Sequence, residues 1–437
     1  MNPPLLAFYG DDLTGSTDVM EALELSGLRT VLFTHIPDET LMARFAGFKA
    51  YGIAGTSRSE TPEWMNAHLP AIFRWLDETK AEICRYKVCS TFDSAPEIGS
   101  IGRALDLGAA AFDQQSVPIV VGAPQLKRWT AFGNLYADFR GERHRIDRHP
   151  VMSRHPVTPM NEADLRIHLG RQTERTIGLI DCVTAVRPEA DGEVDAALRR
   201  HGAVLIDVLD MATQAAAGHQ LWRKRHEARF VVGSSGVEYA LTCTQAGTPL
   251  AGYDGRFEPP GGRGPIAAVS GSCSPTTSRQ IRHALANGFT GVPVDAARLS
   301  GKGEARDAEI ARAVYASRAA IAGGRSALVY SALEGETAMD AAGGGGHVLG
   351  RSLGDILAAI VEREGLGRAI VAGGDTSSHA ISALGIAALE CRMPIPNAPG
   401  SPLCTAHSSR PGIDAFQIAF KGGQVGGDDY FVRLRDL

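Results

Sequence analysis

Cysteine is scarce in this chain. The seven in 437 residues (Cys84, Cys89, Cys182, Cys243, Cys273, Cys391 and Cys404) are odd in number, scattered and never in a CxxC pair. That spacing argues against a disulfide framework and against a zinc site, and buried reduced thiols are expected. No apolar run approaches the ~20 residues needed to span a bilayer. The opening Met1-Asn2-Pro3-Pro4 lacks a basic segment followed by a hydrophobic stretch, so a cytoplasmic protein without a membrane partner is expected. Charge of one sign is lacking too: 44 Lys and Arg against 49 Asp and Glu leave a net charge of -5. With no global field attractive to nucleic acid, any anionic ligand has to be held by local groups. Composition leaves the oligomeric state open, a homo-oligomer included.

What is present is the balance of a globular protein, with 44% hydrophobic and 21% charged residues. The length implies roughly two to three domains. The 50 glycines fall largely in short clusters at the ends of apolar runs, a distribution that suits turns cradling a ligand.

Along the chain, Leu5–Tyr9 reads as a strand, Gly10-Asp11-Asp12-Leu13-Thr14-Gly15 as a loop, and the stretch holding Val19, Met20 and Leu23 as a helix stopped by Gly27. Further short strands are expected at 30–33, 50–54, 85–89, 118–121, 177–180, 203–206 and 230–232, with helical patterns between several of them. That alternation predicts an α/β architecture: two α/β domains with mainly parallel sheets and a cleft between them. Residues 251–264 have no apolar period and read as a linker, giving domains at 1–250 and 265–437. The second half restarts with a strand at 265–269 and a helix around 278–286 stopped by Gly288. Further strands are expected at 326–330, 368–372 and 415–420.

The loop carrying Asp11 and Asp12 follows a strand, where open α/β sheets bind ligands. Those carboxylates could accept a hydroxyl proton, bind substrate hydroxyls, hold a metal, or simply cap the next helix. Ser57, Arg58, Lys87, Ser90 and Thr91 also lie at or just after expected strands. Arg58 and Lys87 could fix a substrate carboxylate, or merely form surface ion pairs. In the second half, Ser270-Gly271-Ser272, Gly373-Gly374-Asp375-Thr376 and Lys421-Gly422-Gly423 each follow an apolar strand. Backbone amides in such turns can approach a phosphate, although each alone could be an ordinary tight turn. Gly345–Ser352 nearly matches a phosphate loop but has Arg351 where lysine is required, and is expected to be a mobile glycine-rich linker. The stretch from Arg143 to Arg154 and just beyond, with His149 and His155 in His-Pro steps, is expected to be a loop that could touch substrate.

Taken together these pieces resemble the four-carbon acid sugar kinase family. The matching segments are Asp11-Asp12-Leu13-Thr14-Gly15 with Asp18, Lys87–Ser94, His155–Met160, Gly233–Gly236, Ser270–Ser274, Gly373–Ser377 and Lys421–Gly427, in order over nearly the whole chain. The resemblance implies an N-terminal domain that binds an acid sugar and a C-terminal domain that binds ATP. Position by position, Asp11, Asp12, Arg58, Lys87 and Ser90 would face substrate, and the turns at Ser270, Gly373 and Gly422 would contact nucleotide. The chain departs from many relatives in its Gly-Gly-Gln-Val-Gly-Gly tail and in Phe92-Asp93-Ser94, which bears on substrate identity. The expected reaction is ATP- and Mg²⁺-dependent phosphorylation of a terminal hydroxyl of a tetronate or 3-oxo-tetronate. Asp12 would be the general base, Asp11 would orient the sugar, and Lys421 with the turn amides would stabilise phosphate charge. The alternatives are a branched substrate such as 3-oxo-isoapionate, a non-catalytic sugar-acid sensor, and a metal-dependent hydrolase using Asp11 and Asp12.

Overall fold

The computed structural model describes residues 3–248, 250, 257–333 and 345–437. They group into two units: residues up to 250 apart from Leu32–Thr34, and residues from 257 onward together with Leu32–Thr34. Residues 251–256 of the expected linker lie outside the described residues.

The strands of the first half are β1 (Leu6–Gly10), β2 (Thr30–Phe33), β3 (Ala50–Ala54), β4 (Ile83–Lys87), β5 (Val117–Val120), β6 (Arg128–Ala131), β7 (Asn134–Phe139), β8 (Glu142–Arg145), β9 (Ile177–Ile180), β10 (Ala203–Ile206) and β11 (Phe230–Gly233). The main sheet runs β3-β1-β4-β11-β5-β10-β9 with every pairing parallel. Strands covered on both faces have to be apolar throughout, and β1, β4, β5, β10 and β11 are buried at every position. The helix Pro62–Glu78 covers one face through Met65, Leu69, Phe73 and Leu76, at helical spacing. Its Phe73 ring meets Phe230 edge-on at 5.3 Å between centroids. Register sets the site: Gly10 pairs with Ala54 and with Lys87, and Lys87 pairs with Gly233. Four strands therefore end at one level, and the residues just beyond them share one edge. Strands β6, β7 and β8 form a separate antiparallel sheet.

The second unit holds β12 (Ala267–Ser270), β13 (Phe289–Pro293), β14 (Ser326–Tyr330), β15 (Arg368–Ala372), β16 (Ile386–Met393), β17 (Leu403–Ser408) and β18 (Gln417–Lys421). The order β13-β14-β12-β15-β18 is parallel; β17 and β16 continue it antiparallel. Ile281, Phe289, Leu328, Ile370, Leu403 and Phe431 fill its core.

Several expectations are corrected. Residues 345–352 open the helix Gly345–Glu364 and are not a linker, because Val348, Leu349, Leu353, Ile356, Leu357 and Ile360 recur at helical spacing. The stretch 143–154 includes the end of β8 and two 3₁₀ turns. Strand β4 starts two residues earlier than expected, and Lys421 is the last residue of β18 rather than the first of a turn. Of the cysteines, Cys273 is exposed and Cys89 and Cys391 are half-buried, so the thiols are not uniformly buried.

Candidate active site

In the first unit, β1 delivers Asp11 and Asp12 to the shared edge. Asp12 caps the helix Leu13–Leu25, its Oδ1 accepting the Gly15 amide at 2.8 Å and its Oδ2 the Thr14 hydroxyl at 2.8 Å. Capping and substrate binding therefore do not exclude one another. Arg58, in the 3₁₀ turn after β3, donates through Nε and Nη2 to the two oxygens of Asp11 at 3.1 and 3.2 Å, and through Nη1 to Asp12 Oδ2 at 3.0 Å. One planar guanidinium thus spans both carboxylates, a geometry lysine cannot supply. Lys87, at the end of β4, is buried, and its ammonium occupies the space a side chain at Gly15 would fill: a Cβ there would lie 1.9 Å from Lys87 Nζ and 2.4 Å from Asp12 Oδ1.

The two carboxylates differ electrostatically. Burial, with the neighbouring Asp12 charge, pushes Asp11 up to about 6 against the pull of Arg58. Burial would raise Asp12 as well, but Arg58, Lys87 and its two hydrogen bonds hold it below the usual carboxylate range. The Asp12 side chain is 24% exposed and that of Asp11 5%, so Asp12 is the carboxylate open to a ligand.

Beyond Lys87 the chain turns through Cys89–Ser94. Ser90 is half-buried. The Thr91 hydroxyl donates to Asp93 Oδ1 at 2.5 Å, and the Thr158 hydroxyl to Asp93 Oδ2 at 3.4 Å. His155 Nδ1 accepts the Thr158 amide at 3.1 Å. Burial would raise Asp93, but Arg58, the Thr91 hydroxyl and His155 hold it low, so a third carboxylate charge lies near Arg58. Asp93 and Thr158 were not singled out as site candidates. Their motifs were visible, but only the fold brings 93 and 158 together. Ser57 points away: its hydroxyl shares a 2.9 Å hydrogen bond with Tyr86 in the core.

In the second unit, Ser270 pairs with Ala372 and Ala372 with Lys421, so three adjacent parallel strands end together and release their turns side by side. The turns interlock. Gly271 donates its amide to Ala372 O at 3.1 Å and Gly373 its amide to Lys421 O at 2.9 Å. A Cβ at Gly271 would lie 2.3 Å from Thr376 Oγ1, so a side chain there would displace that hydroxyl, and Gly373 has a φ of +120°, which favours glycine. The helices Pro275–Ala286 and Gly374–Leu384 begin here, the first capped by Ser274 with Pro275 at its first position. Thr277 donates to Gly423 O at 2.9 Å, tying the third turn to the first helix. Ser274 and Thr277 were not read as site residues, although Ser-Pro is a legible helix start. Buried Ser270 has no hydrogen-bond partner for its hydroxyl among the described residues. The side chain of Asp375 lies outside them.

Lys421 is fully buried, donates to Thr277 Oγ1 at 3.0 Å, and is pushed down to about 7 by burial. Thr277 Oγ1, which accepts this bond, is the hydroxyl that donates to Gly423 O, so the ammonium is linked to the Gly422-Gly423 turn through it. Among the described residues no three His, Cys, Asp or Glu converge as a metal site.

A family model described as a sugar-binding N-terminal domain matches residues 6–241, and one described as a nucleotide-binding C-terminal domain matches residues 267–431. The chain is 44% identical over 447 residues to a 3-oxo-isoapionate kinase of Paraburkholderia graminis, covering 99% of this chain and 94% of the relative. It is 31% identical over 443 residues to a 3-oxo-tetronate kinase of Methylobacterium radiotolerans, covering 99% of each. A solved structure from Salmonella typhimurium LT2 superposes with a TM-score of 0.76 at 25% identity over 98% of each chain.

Proposed function

The chain belongs to the four-carbon acid sugar kinase family, and we propose that it transfers the γ-phosphate of ATP to a hydroxyl of a branched 3-oxo sugar acid of the 3-oxo-isoapionate class. Kinase chemistry on a sugar acid follows from the family. The branched acceptor ranks ahead of an unbranched tetronate because the relative named for it shares 44% identity against 31% for a 3-oxo-tetronate kinase.

The observation that carries the nucleotide half is the in-register convergence of the turns after Ser270, Ala372 and Lys421. A sugar-acid sensor has no use for such a phosphate cradle. The amides of Ser272, Gly374, Gly422 and Gly423, with two helix N-termini, would hold the phosphates, while those of Gly271 and Gly373 are already donated within the turns. Thr376 and Ser270 would add hydroxyls. Lys421 would act through Thr277, lending charge to the third turn. In the sugar-binding half, taken as residues 1–250, Lys87 and Arg58 would face the substrate carboxylate and Asp12 would accept the proton of the attacking hydroxyl. Ser90 and the Asp93 loop would line the acceptor site. The transition state is loose and highly anionic, so positioning and charge neutralisation supply most of the rate.

Mg²⁺ would arrive on the nucleotide. That ion is usually held by phosphate oxygens, water and one or two carboxylates, and its role would be to neutralise phosphate charge. No helix among the described residues is long and apolar enough to cross a membrane.

The test is ADP release by purified protein with ATP and Mg²⁺ against 3-oxo-isoapionate, 3-oxo-tetronates and tetronates, with a no-sugar control. Release dependent on the branched acid establishes the proposal, and preference for a tetronate corrects the acceptor. Silence across the panel without ATP binding by calorimetry overturns the kinase reading.

A further inference from the structure

Strands β16 and β17 place two cysteines directly opposite one another: Cys391 pairs with Cys404 in the antiparallel ladder, between the Glu390–Thr405 pair and a register shift at Met393. Directly opposed residues of an antiparallel pair project from the same face, with Cα atoms about 4.5–5.5 Å apart. A disulfide spans Cα separations of about 4.4–6.8 Å. Its Cβ atoms have to approach to about 3.5–4.5 Å, slightly closer than the ~4.5–5.5 Å of an ordinary opposed pair. The irregularity immediately after Cys391 supplies the local freedom to close that difference, because a bulge lets one strand twist against its neighbour. Cys391 is half-buried and Cys404 fully buried, so one thiol can be reached from solvent while the other waits behind it.

We propose that Cys391 and Cys404 form a dithiol modification site that closes reversibly to an intramolecular disulfide by exchange with a small-molecule disulfide. The Cys391 thiolate attacks one sulfur of the reagent, forming a mixed disulfide and expelling one thiolate. The Cys404 thiolate then attacks Cys391 Sγ and expels the second. The protein loses two protons and two electrons, and the reagent leaves as two thiols. The closed bridge would tie β16 to β17, which pairs through Cys404 with Ile418 of β18, the strand ending in Lys421. Oxidation thus stiffens the sheet that carries the third nucleotide turn. This inference stands independently of the acceptor's identity.

The experiment treats the full chain with oxidised glutathione, alkylates the remaining thiols under denaturing conditions and maps peptides by mass spectrometry. The expected product is a Cys391–Cys404 cross-linked peptide, removed by dithiothreitol, with a reversible rise in Tm. Cys404→Ser should stop at a mixed disulfide on Cys391 and show no such rise. Exposed Cys273 serves as the internal control that oxidant reached the protein. Glutathione on Cys273 with Cys391 and Cys404 both recovered as alkylated thiols overturns the proposal, as does a mixed disulfide on Cys391 that never resolves in the parent protein.

Discussion

Replacing Gly15 by alanine should separate folding from catalysis. Gly15 is the third residue of the helix Leu13–Leu25, where alanine is intrinsically better by up to about 1 kcal/mol. The added methyl would lie 1.9 Å from Lys87 Nζ and 2.4 Å from Asp12 Oδ1, whereas non-bonded heavy atoms prefer roughly 3.5 Å or more. The ammonium therefore has to retreat by about 1.5 Å to regain that separation. Because it ends a flexible side chain, the backbone can stay in place, and global stability should remain within about 1 kcal/mol of the parent. Turnover should not survive so well: a misplacement of about 1 Å in a positioned site can cost on the order of 100-fold. The assay pairs urea denaturation with steady-state kinetics on the best acceptor. Gly192→Ala is the control, since that helical glycine has open space where its methyl would go, and it should gain stability with kinetics unchanged. A Gly15→Ala enzyme turning over at the parental rate would refute both the placement of Lys87 against Asp12 and its part in catalysis.

Asp12→Asn should lower kcat by about 10²- to 10⁴-fold with KM little changed, and unchanged turnover would remove Asp12 as proton acceptor. Glu238→Ala should cost about 3–5 kcal/mol in denaturant titration, because it strands the fully buried Arg85 charge that Glu238 neutralises. Glu238→Gln should retain the fold better, and equal losses in the two variants would contradict the ion-pair account. Burial lowers Lys421 from 10.5 to about 7 in the folded chain. Between those values the unfolded state binds more protons, so this group makes stability rise with pH from about 7 towards 10. Lys421→Met should flatten that part of the stability profile and raise stability near neutral pH, and an unaltered slope would show that Lys421 is not the group responsible.

Legibility in the sequence followed burial. Strands β3, β10, β14 and β15 coincide with the apolar runs read as strands, because parallel strands covered on both faces are apolar over most of their length. Strand β13 (Phe-Thr-Gly-Val-Pro) escaped: glycine and proline argue against a strand, yet it lies at the sheet edge, where they are tolerated. Strand β16, with Glu390 and Arg392 in its second half, also lacked a continuous apolar signal. At the site, Asp11, Asp12 and Arg58 could each be singled out as polar residues at strand ends. That one guanidinium grips both carboxylates from 46 and 47 residues away could not, because it depends on β3 and β1 being neighbours. The burial of Lys421 was hidden for the same reason: composition marks a lysine before glycines as a phosphate ligand, and only the packing of Thr277 and Tyr430 around it shows the ammonium facing inward.

In the proposed mechanism the division of labour between Asp11 and Asp12 would turn on access more than on basicity. By basicity alone Asp11, near 6, is the better-tuned base. Both of its oxygens, however, accept from Arg58, and its side chain is 5% exposed, so a substrate hydroxyl could reach it only by displacing the guanidinium. Asp12 is weaker but more open, and in a loose transition state the hydroxyl proton leaves late, which relaxes the demand for a strong base. Asp11 is then best understood as the anchor of Arg58. It follows that acidification disables the enzyme before Asp12 is protonated: as pH falls through about 6, Asp11 takes up a proton and its half of the fork loses its charge assistance. The acid limb of kcat/KM should therefore lie near pH 6, and Asp11→Asn should abolish that limb while lowering the plateau. An acid limb that persists near pH 6 in Asp11→Asn would assign the titration to another group and leave Arg58 without its anchor.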